Sequence, residues 1–376
     1  MEYSEDVCTY ALSRIFLREP KLSRAVIDTL GSAGALFSLD ADGLFEALGP
    51  FSKYRDAIAA TDLGRTAEEL HRILKETSSR YMWHSHPDFP HALSGCEDAP
   101  VGFFFRSVDE PGNIFNRESV SVVGTRDITP YGKEWCGKVV AALGETVERP
   151  SVVSGLAYGV DITAQLKALE TGLPTIAVLG NGTGSIYPAA HSRYAERIAG
   201  TKGCAVISEY PPDTEVLAVN FLARNRIIAG LSRATVLVES KIRGGGMTTA
   251  RIAFSYGRDV FAVPGRNDDI RSQGCNALIQ SRTAEALADT ERFLESLGYR
   301  RRRGTAAAAS VSISGSDVNT ASSFLVRIRS RRGITVEELA AEEGLPVHRA
   351  RAILTGLEAD GIIDMDILGR CTINRS

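Results

Sequence analysis

Short runs of valine, isoleucine and other apolar residues recur between residues 120 and 265, each followed by a glycine- or serine-containing loop and an amphipathic segment. The runs are apolar throughout rather than alternating, which is typical of strands buried on both faces of a parallel sheet. They are SVSVVG, SVVSG, TIAVLG, AVISE, ATVLVES and VFAVPG. Because crossovers between parallel strands are right-handed, the loops are predicted to meet at the carboxyl edge of the sheet. Free backbone N–H groups and helix N-termini would make that edge an anion-binding rim.

The segments on either side of these runs predict further domains. Residues 1–80 show apolar spacing of three and four, which indicates short helices in a domain that mediates contacts. We predict a sheet domain over 81–297 and a linker over 298–316, rich in arginine and small residues. Residues 317–376 follow the order helix, turn at Leu345, helix and two short strands, which is the winged helix-turn-helix pattern.

The second helix of this last segment carries Arg349 and Arg351, which could face DNA. Glutamate and aspartate residues surround it in the sequence, which favours contact with a protein over contact with a DNA backbone.

The stretch that leads into the sheet contains a run of three phenylalanines, Phe103 to Phe105, which is predicted to be an edge strand. It also contains His84, His86 and His91, but no cysteine or carboxylate completes a ligand set at helical spacing. The histidines are therefore predicted to pack in an ordered loop rather than to bind a metal.

Composition limits the class of protein. The 376 residues favour two or three domains. No apolar run approaches the roughly 20 residues of a membrane helix and the amino terminus lacks a signal pattern, so we expect a cytoplasmic protein without a membrane partner. Six scattered cysteines indicate reduced, mostly buried thiols. Because the net charge is −3, a nucleic acid would have to meet a local basic patch.

The first loop, Gly124-Thr125-Arg126, combines close backbone approach, a hydroxyl and a guanidinium fork for a phosphate. Taken alone, the pattern equally fits a turn glycine beside a solvated arginine. Pro130 is predicted to begin the next helix.

Two further glycine loops follow. In the second, Ser154 and Gly155 precede Asp161, which is predicted to cap a helix rather than to act as a catalytic carboxylate. The third, residues 180–184, fits an anion cradle or a simple bend equally well.

The segment 220–232 is more specific. At helical spacing Phe221, Arg224 and Asn225 share one face, while Ile227, Ile228 and Leu231 turn inward. An aromatic ring beside arginines suits single-stranded nucleic acid, because rings stack on bases and guanidinium groups bind phosphates. The alternative places Phe221 in the core and Arg226 in a helix-surface ion pair.

The loop after the fifth run places Lys241 and Arg243 before three glycines, Gly244 to Gly246, and a helix. Consecutive N–H groups of this kind form an anion nest. Neither a GK[ST] sequence nor the dinucleotide-binding GxGxxG pattern is present, so a nucleoside triphosphate or a nicotinamide cofactor is not expected.

Taken together, these segments resemble the DNA-processing protein A (DprA, also called Smf) family. The matching blocks occur in order along residues 120 to 280, and the order is more specific than any one block. They are VVGTR, VSGLAYGVD, TIAVLGNG with IYP, ISEY, FLARNRIIAGLS, VLVES with GGGMTTAR, and GRDVFAVPG with GCNALI.

The resemblance implies an α/β protein: an extended Rossmann-like sheet that dimerises, a helical front domain like a sterile alpha motif, and a winged-helix tail. It implies a non-enzymatic recombination mediator that binds single-stranded DNA, needs no cofactor and loads a RecA-type recombinase, as in natural transformation and competence. Carried across, the DNA-binding residues are Gly124, Thr125, Arg126, Ser154, Gly155, Phe221, Arg224, Asn225, Gly245 and Gly246; the residues themselves add Lys241 and Arg243.

Some positions depart from the family pattern, and these departures bear on the affinity for single-stranded DNA. They are Tyr158, Gln165, Ala218, Leu222, Gly244 and Gly246.

Two other functions compete. VESKIRGGGMTTARIA resembles the loop of nucleotide phosphoribohydrolases, but residues 250–253 lack the acid that would serve as general base. A regulator that binds duplex DNA through the winged helix is disfavoured by the acidity around that helix.

Overall fold

A computed structural model describes residues 3–49, 52–302, 315–331, 333–359, 362–366 and 369–373. The chain divides into two compact units, Met1–Arg301 and Arg302–Ser376. Most of the predicted linker, residues 303–314, lies outside the described residues.

The first unit is built on one nine-stranded sheet. Its strands are β1 (Arg80–Trp83), β2 (Gly102–Arg106), β3 (Ser119–Val123), β4 (Ser151–Ser154), β5 (Thr175–Val178), β6 (Ala205–Ser208), β7 (Ala234–Leu237), β8 (Asp259–Ala262) and β9 (Glu285–Ala286). The order across the sheet is β1-β2-β6-β5-β4-β3-β7-β8-β9. All neighbours from β6 to β9 pair in parallel, whereas β1 and β2 are antiparallel. This confirms the predicted large, mostly parallel sheet, and each apolar run contains one of its strands.

Helices precede the sheet and connect its strands. They are α1 (Glu5–Ile15), α2 (Pro20–Leu30), α3 (Ala33–Phe37), α4 (Ala41–Leu48), α5 (Arg55–Ala59), α6 (Leu63–Thr77), α7 (His91–Ser94), α8 (Pro111–Phe115), α9 (Pro130–Gly144), α10 (Val160–Glu170), α11 (Ser192–Ala199), α12 (Ala218–Leu231), α13 (Gly245–Ser255), α14 (Gln273–Gln280) and α15 (Thr290–Ser296).

The phenylalanine run is not an edge strand, and that prediction was wrong. β2 lies between β1 and β6, and Phe103, Phe104 and Phe105 are at most 1% exposed. Phe104 stacks edge-on against Tyr10 of α1, and Phe103 contacts Phe89 on the opposite side. The run is apolar without alternation because both of its faces are buried.

The strand order creates a crevice. β3 pairs with β4 on one side and with β7 on the other, since the chain passes through β4, β5 and β6 before it crosses back to β7. The connections after β3 and β7 therefore leave in different directions. Such a switch point at the carboxyl ends of parallel strands is where ligands bind in open α/β sheets.

The second unit contains three helices and a small antiparallel sheet. Its elements are α16 (Gly315–Ser330), β10 (Ile334–Thr335), α17 (Val336–Glu342), α18 (Val347–Ala359), β11 (Ile363–Met365) and β12 (Arg370–Ile373). The strand order is β10-β12-β11. A capping box between Thr335 and Glu338 begins α17, and Phe324 of α16 and Leu354 of α18 are fully buried in the core.

A buried ion pair ties α12 to the end of β6 in the first unit. Arg226 bonds to the carboxylate of Glu209 and to the backbone carbonyl of Asp98, and both charged side chains are 8% exposed. The pair differs from the surface ion pair considered for Arg226. Burial raises the pKa of Glu209, and Arg226 opposes that rise.

We predict that Arg226→Met destabilises the fold by about 3–5 kcal/mol near neutral pH, because it leaves Glu209 buried without its cation. The folded-state pKa of Glu209 would then rise further above its unfolded value of about 4.3. A carboxyl whose pKa is raised by folding contributes most to the stability of the fold below its unfolded pKa, and this contribution is lost as the pH rises. The difference in free energy of unfolding between the variant and the unaltered protein should therefore shrink as the pH falls toward 5. Urea unfolding at pH 5 and 7.5 measures this change.

The matched control is Arg233→Met, which breaks a solvent-exposed pair with Glu118 at 3.4 Å. It should cost about 1 kcal/mol or less at either pH. Equal losses for both variants, or a pH-independent loss for Arg226→Met, would contradict the assignment.

Candidate functional site

The loop after β3 is held between the end of β7 and the start of α10. The Thr125 N–H donates to the Glu239 carbonyl at 2.7 Å, and the Thr125 carbonyl accepts from the Val160 N–H at 3.1 Å. A Cβ on Gly124 would lie 2.6 Å from Val160 Cγ2 and 2.8 Å from the Glu239 carbonyl oxygen. Only glycine fits there, so the loop backbone is fixed while Arg126 stays exposed.

Glu239 positions this loop, a role that the sequence analysis missed. Its carboxylate is 1% exposed and accepts from the Thr129 N–H at 2.9 Å and the Thr129 hydroxyl at 2.5 Å. Thr129 caps α9, which begins at Pro130 as predicted. The residue ends an apolar run, and nothing in the sequence distinguishes this buried acceptor from a surface acid.

Arg224 is part of the protein interior as well as of the site. It is 4% exposed, and its Nη1 donates to the Gly155 carbonyl at 2.9 Å and to the Val178 carbonyl. A Cβ on Gly155 would lie 2.4 Å from that Nη1. Burial lowers the pKa of Arg224 to about 10. The guanidinium thus joins the ends of β4 and β5.

The Ser154 hydroxyl and the Gly155 N–H, at the end of β4, are bonded within the protein. Ser154 is fully buried and its hydroxyl donates to the Val122 carbonyl at 2.7 Å, so this hydroxyl is already bonded within the protein, and a DNA contact at Ser154 stays a prediction. The Gly155 N–H donates to the Asp161 carboxylate at 3.2 Å.

Asp161 was predicted to cap α10, and that prediction was wrong. Gly159 occupies the N-cap position, and Asp161 is 7% exposed within the first turn. Burial raises the pKa of Asp161, and Arg224 opposes that rise. Its carboxylate holds the loop of Gly155.

The loop after β5 bends the chain. The Gly182 N–H donates to the Thr214 carbonyl at 3.2 Å and the Gly184 N–H to the Pro212 carbonyl at 2.9 Å. Because both donors are used within the protein, these N–H groups do not form an anion cradle.

A pocket of about 460 Å³ opens at the switch point between β3 and β7. Most of the predicted site residues line it. They are Gly124, Thr125, Arg126, Phe221, Arg224, Asn225, Lys241, Gly245 and Gly246. Arg243 is exposed outside this lining.

The pocket wall carries net positive charge. Arg126 and Lys241 are exposed, and neither forms an ion pair with a residue in the described part of the chain. The N-terminus of α13 at Gly245 adds backbone N–H groups that have no acceptor within the helix. The nearby carboxylate of Asp127 is engaged by Arg271 at 2.5 Å. An anion would therefore be favoured here.

Phe221 brings an aromatic ring to the same wall. It is partly exposed and packs so closely on Gly180 that a Cβ there would lie 2.8 Å from its Cδ1. The Arg224 guanidinium carbon is 5.9 Å from the ring centroid. Asn225 also lines the pocket and is 7% exposed.

A smaller crevice shares Arg126, Ala157 and Phe221 with the pocket and adds Tyr158 and Tyr187. The sequence analysis did not assign these two tyrosines to the site. Tyr158 was noted only as a departure from the family pattern, and the sequence signal of Tyr187 is an aromatic residue beside a glycine-rich loop.

Nothing in the described ranges groups His, Cys, Asp and Glu side chains as a metal site would. Among the amino-terminal histidines, the His86 ring accepts from the Asp88 N–H at 3.0 Å and His84 contacts Arg24. Over the same ranges, no helix is both long and apolar enough to cross a bilayer.

The fold and pocket define an α/β protein with a large, mostly parallel sheet and a positively charged pocket at its switch point. The sequence profile of the family described as DNA recombination-mediator protein A matches residues 80–298. The chain belongs to this family, as the resemblance indicated.

Similarity to individual proteins of this family is consistent with the family match. The chain is 41% identical over 194 residues to DNA processing protein DprA of Streptococcus pneumoniae, covering 51% of this chain and 65% of that protein. It is 34% identical over 260 residues to protein Smf of Escherichia coli, covering 65% and 67%. The match thus spans about two thirds of the length of these two relatives.

Solved structures show the same fold. The X-ray structure of DNA processing protein A from S. pneumoniae has a TM-score of 0.68 at 29% identity and covers 80% of this chain and 100% of its own. A structure from Helicobacter pylori, which concerns the single-stranded DNA binding mode of DNA processing protein A, has a TM-score of 0.51 at 28% identity and covers 59% and 98%.

We predict that Arg224→Ala lowers the free energy of unfolding by about 1–3 kcal/mol, because the Gly155 and Val178 carbonyls lose a buried charged donor. Arg126→Ala should change it by no more than about 0.5 kcal/mol, since that side chain is exposed. Denaturant titration of both variants distinguishes the two arginines. Equal stability of both variants would show that Arg224 does not hold the strand ends together.

Proposed function

We propose that the protein binds single-stranded DNA in the switch-point pocket and delivers it to a RecA-type recombinase without altering it chemically. The observation that carries this proposal is the pairing of two exposed cations, Arg126 and Lys241, with the N-terminus of α13 at one pocket. Family membership and the DNA-binding subject of the H. pylori structure support the choice of ligand.

The phosphate would be bound between Arg126 and the first turn of α13. Arg126 offers a guanidinium fork, and Gly245 has no side chain that could obstruct a phosphate approaching the N–H groups of the first turn. Lys241 supplies a second positive charge on the same wall. These donors recognise phosphate and carry no base preference.

Phe221 would contact the base next to that phosphate. Its position against Gly180 limits the loss of side-chain entropy on binding, and every base has a face that can stack on a ring. The Asn225 amide can donate to or accept from the bound strand. The pocket therefore suits a single strand of any sequence.

The carboxylates at the pocket are bonded to protein groups, which favours a binding function over a catalytic one. Asp127 is paired with Arg271, and Asp161 is buried and bonded to the Gly155 N–H. Both carboxylates are committed to protein groups, whereas a general base must reach the proton that it removes.

A homodimer would bring two such pockets onto one strand. The second contact then becomes intramolecular, so that two weak phosphate sites act at a high effective concentration. This arrangement suits a cytoplasmic mediator in DNA uptake and natural transformation.

The outer segments are assigned to protein contacts. We take residues 1–80 as a helical domain like a sterile alpha motif and 317–376 as a winged-helix domain. In the latter, Arg351 pairs with Glu337 at 3.2 Å and Arg331 with Glu338 at 2.7 Å. Because these acids neutralise arginines that could bind phosphates, a protein partner is favoured over duplex DNA.

We predict that binding to oligo-dT weakens as salt increases, and that Arg126→Ala weakens it by about 10- to 100-fold, because a charge-assisted phosphate contact is lost. The slope of log K against log salt should fall by about 1. Fluorescence anisotropy at several salt concentrations measures both effects.

The matched control is Arg117→Ala. Arg117 is exposed just before β3, whereas Arg126 follows the same strand, so the two residues mark opposite edges of the sheet. The control should bind like the unaltered protein, and a duplex of the same length should compete poorly. Salt-independent binding, or equal losses in both variants, would refute the pocket.

We also predict that the protein increases the rate at which a RecA-type recombinase assembles on single-stranded DNA already coated with single-strand binding protein. The recombinase ATPase reports assembly. Arg126→Ala should lose this stimulation, because the variant cannot hold the strand. If Arg126→Ala still stimulates the ATPase, loading of the recombinase does not depend on DNA binding in the pocket.

A further inference from the structure

Two exposed tyrosines lie beside the proposed phosphate site, in the smaller crevice that Arg126 also lines. Tyr158 is 49% exposed and Tyr187 is 43% exposed, and both line the smaller crevice together with Arg126 and Phe221. A single exposed aromatic residue is ordinary on a protein surface, but aromatic residues that converge on one crevice indicate a binding surface.

Neighbouring groups fix the orientation of both rings. Tyr158 stands edge-on to His191 at a centroid distance of 4.7 Å, and His191 is buried with its Nδ1 2.8 Å from the Leu156 carbonyl. Tyr187 stands edge-on to Phe221 at 5.5 Å. Neither tyrosine hydroxyl bonds to a group in the described ranges. The rings are thus supported from one side and open on the other.

The crevice and the pocket are continuous. Arg126, Ala157 and Phe221 line both, so a ligand whose phosphate contacts Arg126 extends into the crevice by its covalently attached groups. In a nucleic acid those groups are a sugar and a planar base. A base is also the part of the strand that gains most from contact with an open ring.

We infer that Tyr158 and Tyr187 form a second base-binding position, which stacks the nucleobase adjacent to the phosphate held by Arg126. This inference rests on the proposed function and deepens it: the protein binds bases on both sides of one phosphate, through Phe221 and through the tyrosine pair. No hydrogen-bonding group is required, so the position accepts any base.

The test compares oligo-dT with an abasic oligonucleotide of the same length and charge, using fluorescence anisotropy on the full chain. The unaltered protein should bind oligo-dT more tightly than the abasic strand. Tyr158→Leu and Tyr187→Leu should each weaken oligo-dT binding by about 5- to 100-fold, the range expected for one stacked base, and leave abasic binding within about twofold. Tyr158→Phe should retain binding, because it keeps the ring.

Tyr3→Leu serves as the control, since Tyr3 is 36% exposed and lies just before α1, outside the lining of both the pocket and the crevice. Equal losses on both ligands, or no loss on oligo-dT, would overturn the inference while leaving single-strand binding intact. Failure of the unaltered protein to bind either ligand would instead refute the proposed function. Thermal unfolding of each variant verifies that the fold is unchanged.

Discussion

The close approach of two backbones at the carboxyl ends of β3 and β7 determines the geometry of the site. A Cβ on Gly246 would lie 2.7 Å from Leu237 Cδ1 and 3.1 Å from the Gly124 Cα. The Thr125 N–H bond to Glu239 closes the same contact, and the Glu239 carboxylate fixes the cap of α9. The starts of α9, α10 and α13 are therefore positioned by backbone packing and by buried hydrogen bonds. Arg126 and Lys241 project from a frame that does not depend on them.

Three arginines near one another in space or sequence have different roles because their surroundings differ. Arg126 is exposed and makes no ion pair with the described residues, Arg224 is buried against backbone carbonyls, and Arg226 is buried against a carboxylate. Transfer of a guanidinium from water is costly unless acceptors or a carboxylate inside the protein compensate for the lost water. The two buried arginines are thus tied to the fold, while the exposed one is free to exchange water for phosphate.

The sequence predicted the parallel strands because continuous apolar runs are a strong local signal. It wrongly predicted that Phe103 to Phe105 form an edge strand, because an apolar run indicates that a strand is buried but not which strands pair with it. It also predicted most of the residues that line the pocket, yet it overlooked Glu239 and did not indicate that the Ser154 hydroxyl is bonded within the protein. Whether a polar group is already bonded within the protein depends on residues far away in the chain, such as Val122 for Ser154. No local pattern contains that information.

The pocket is built from segments that are far apart in the sequence. Its two halves come from loops that are joined through Thr129 and Glu239, which are 110 positions apart. β4, β5 and β6 extend the sheet in one direction before β7 inserts beside β3. Residues from both loops line the pocket, so its wall is complete only after β7 has paired with β3. Formation of the site therefore depends on a contact between distant parts of the chain, which forms more slowly than local contacts do.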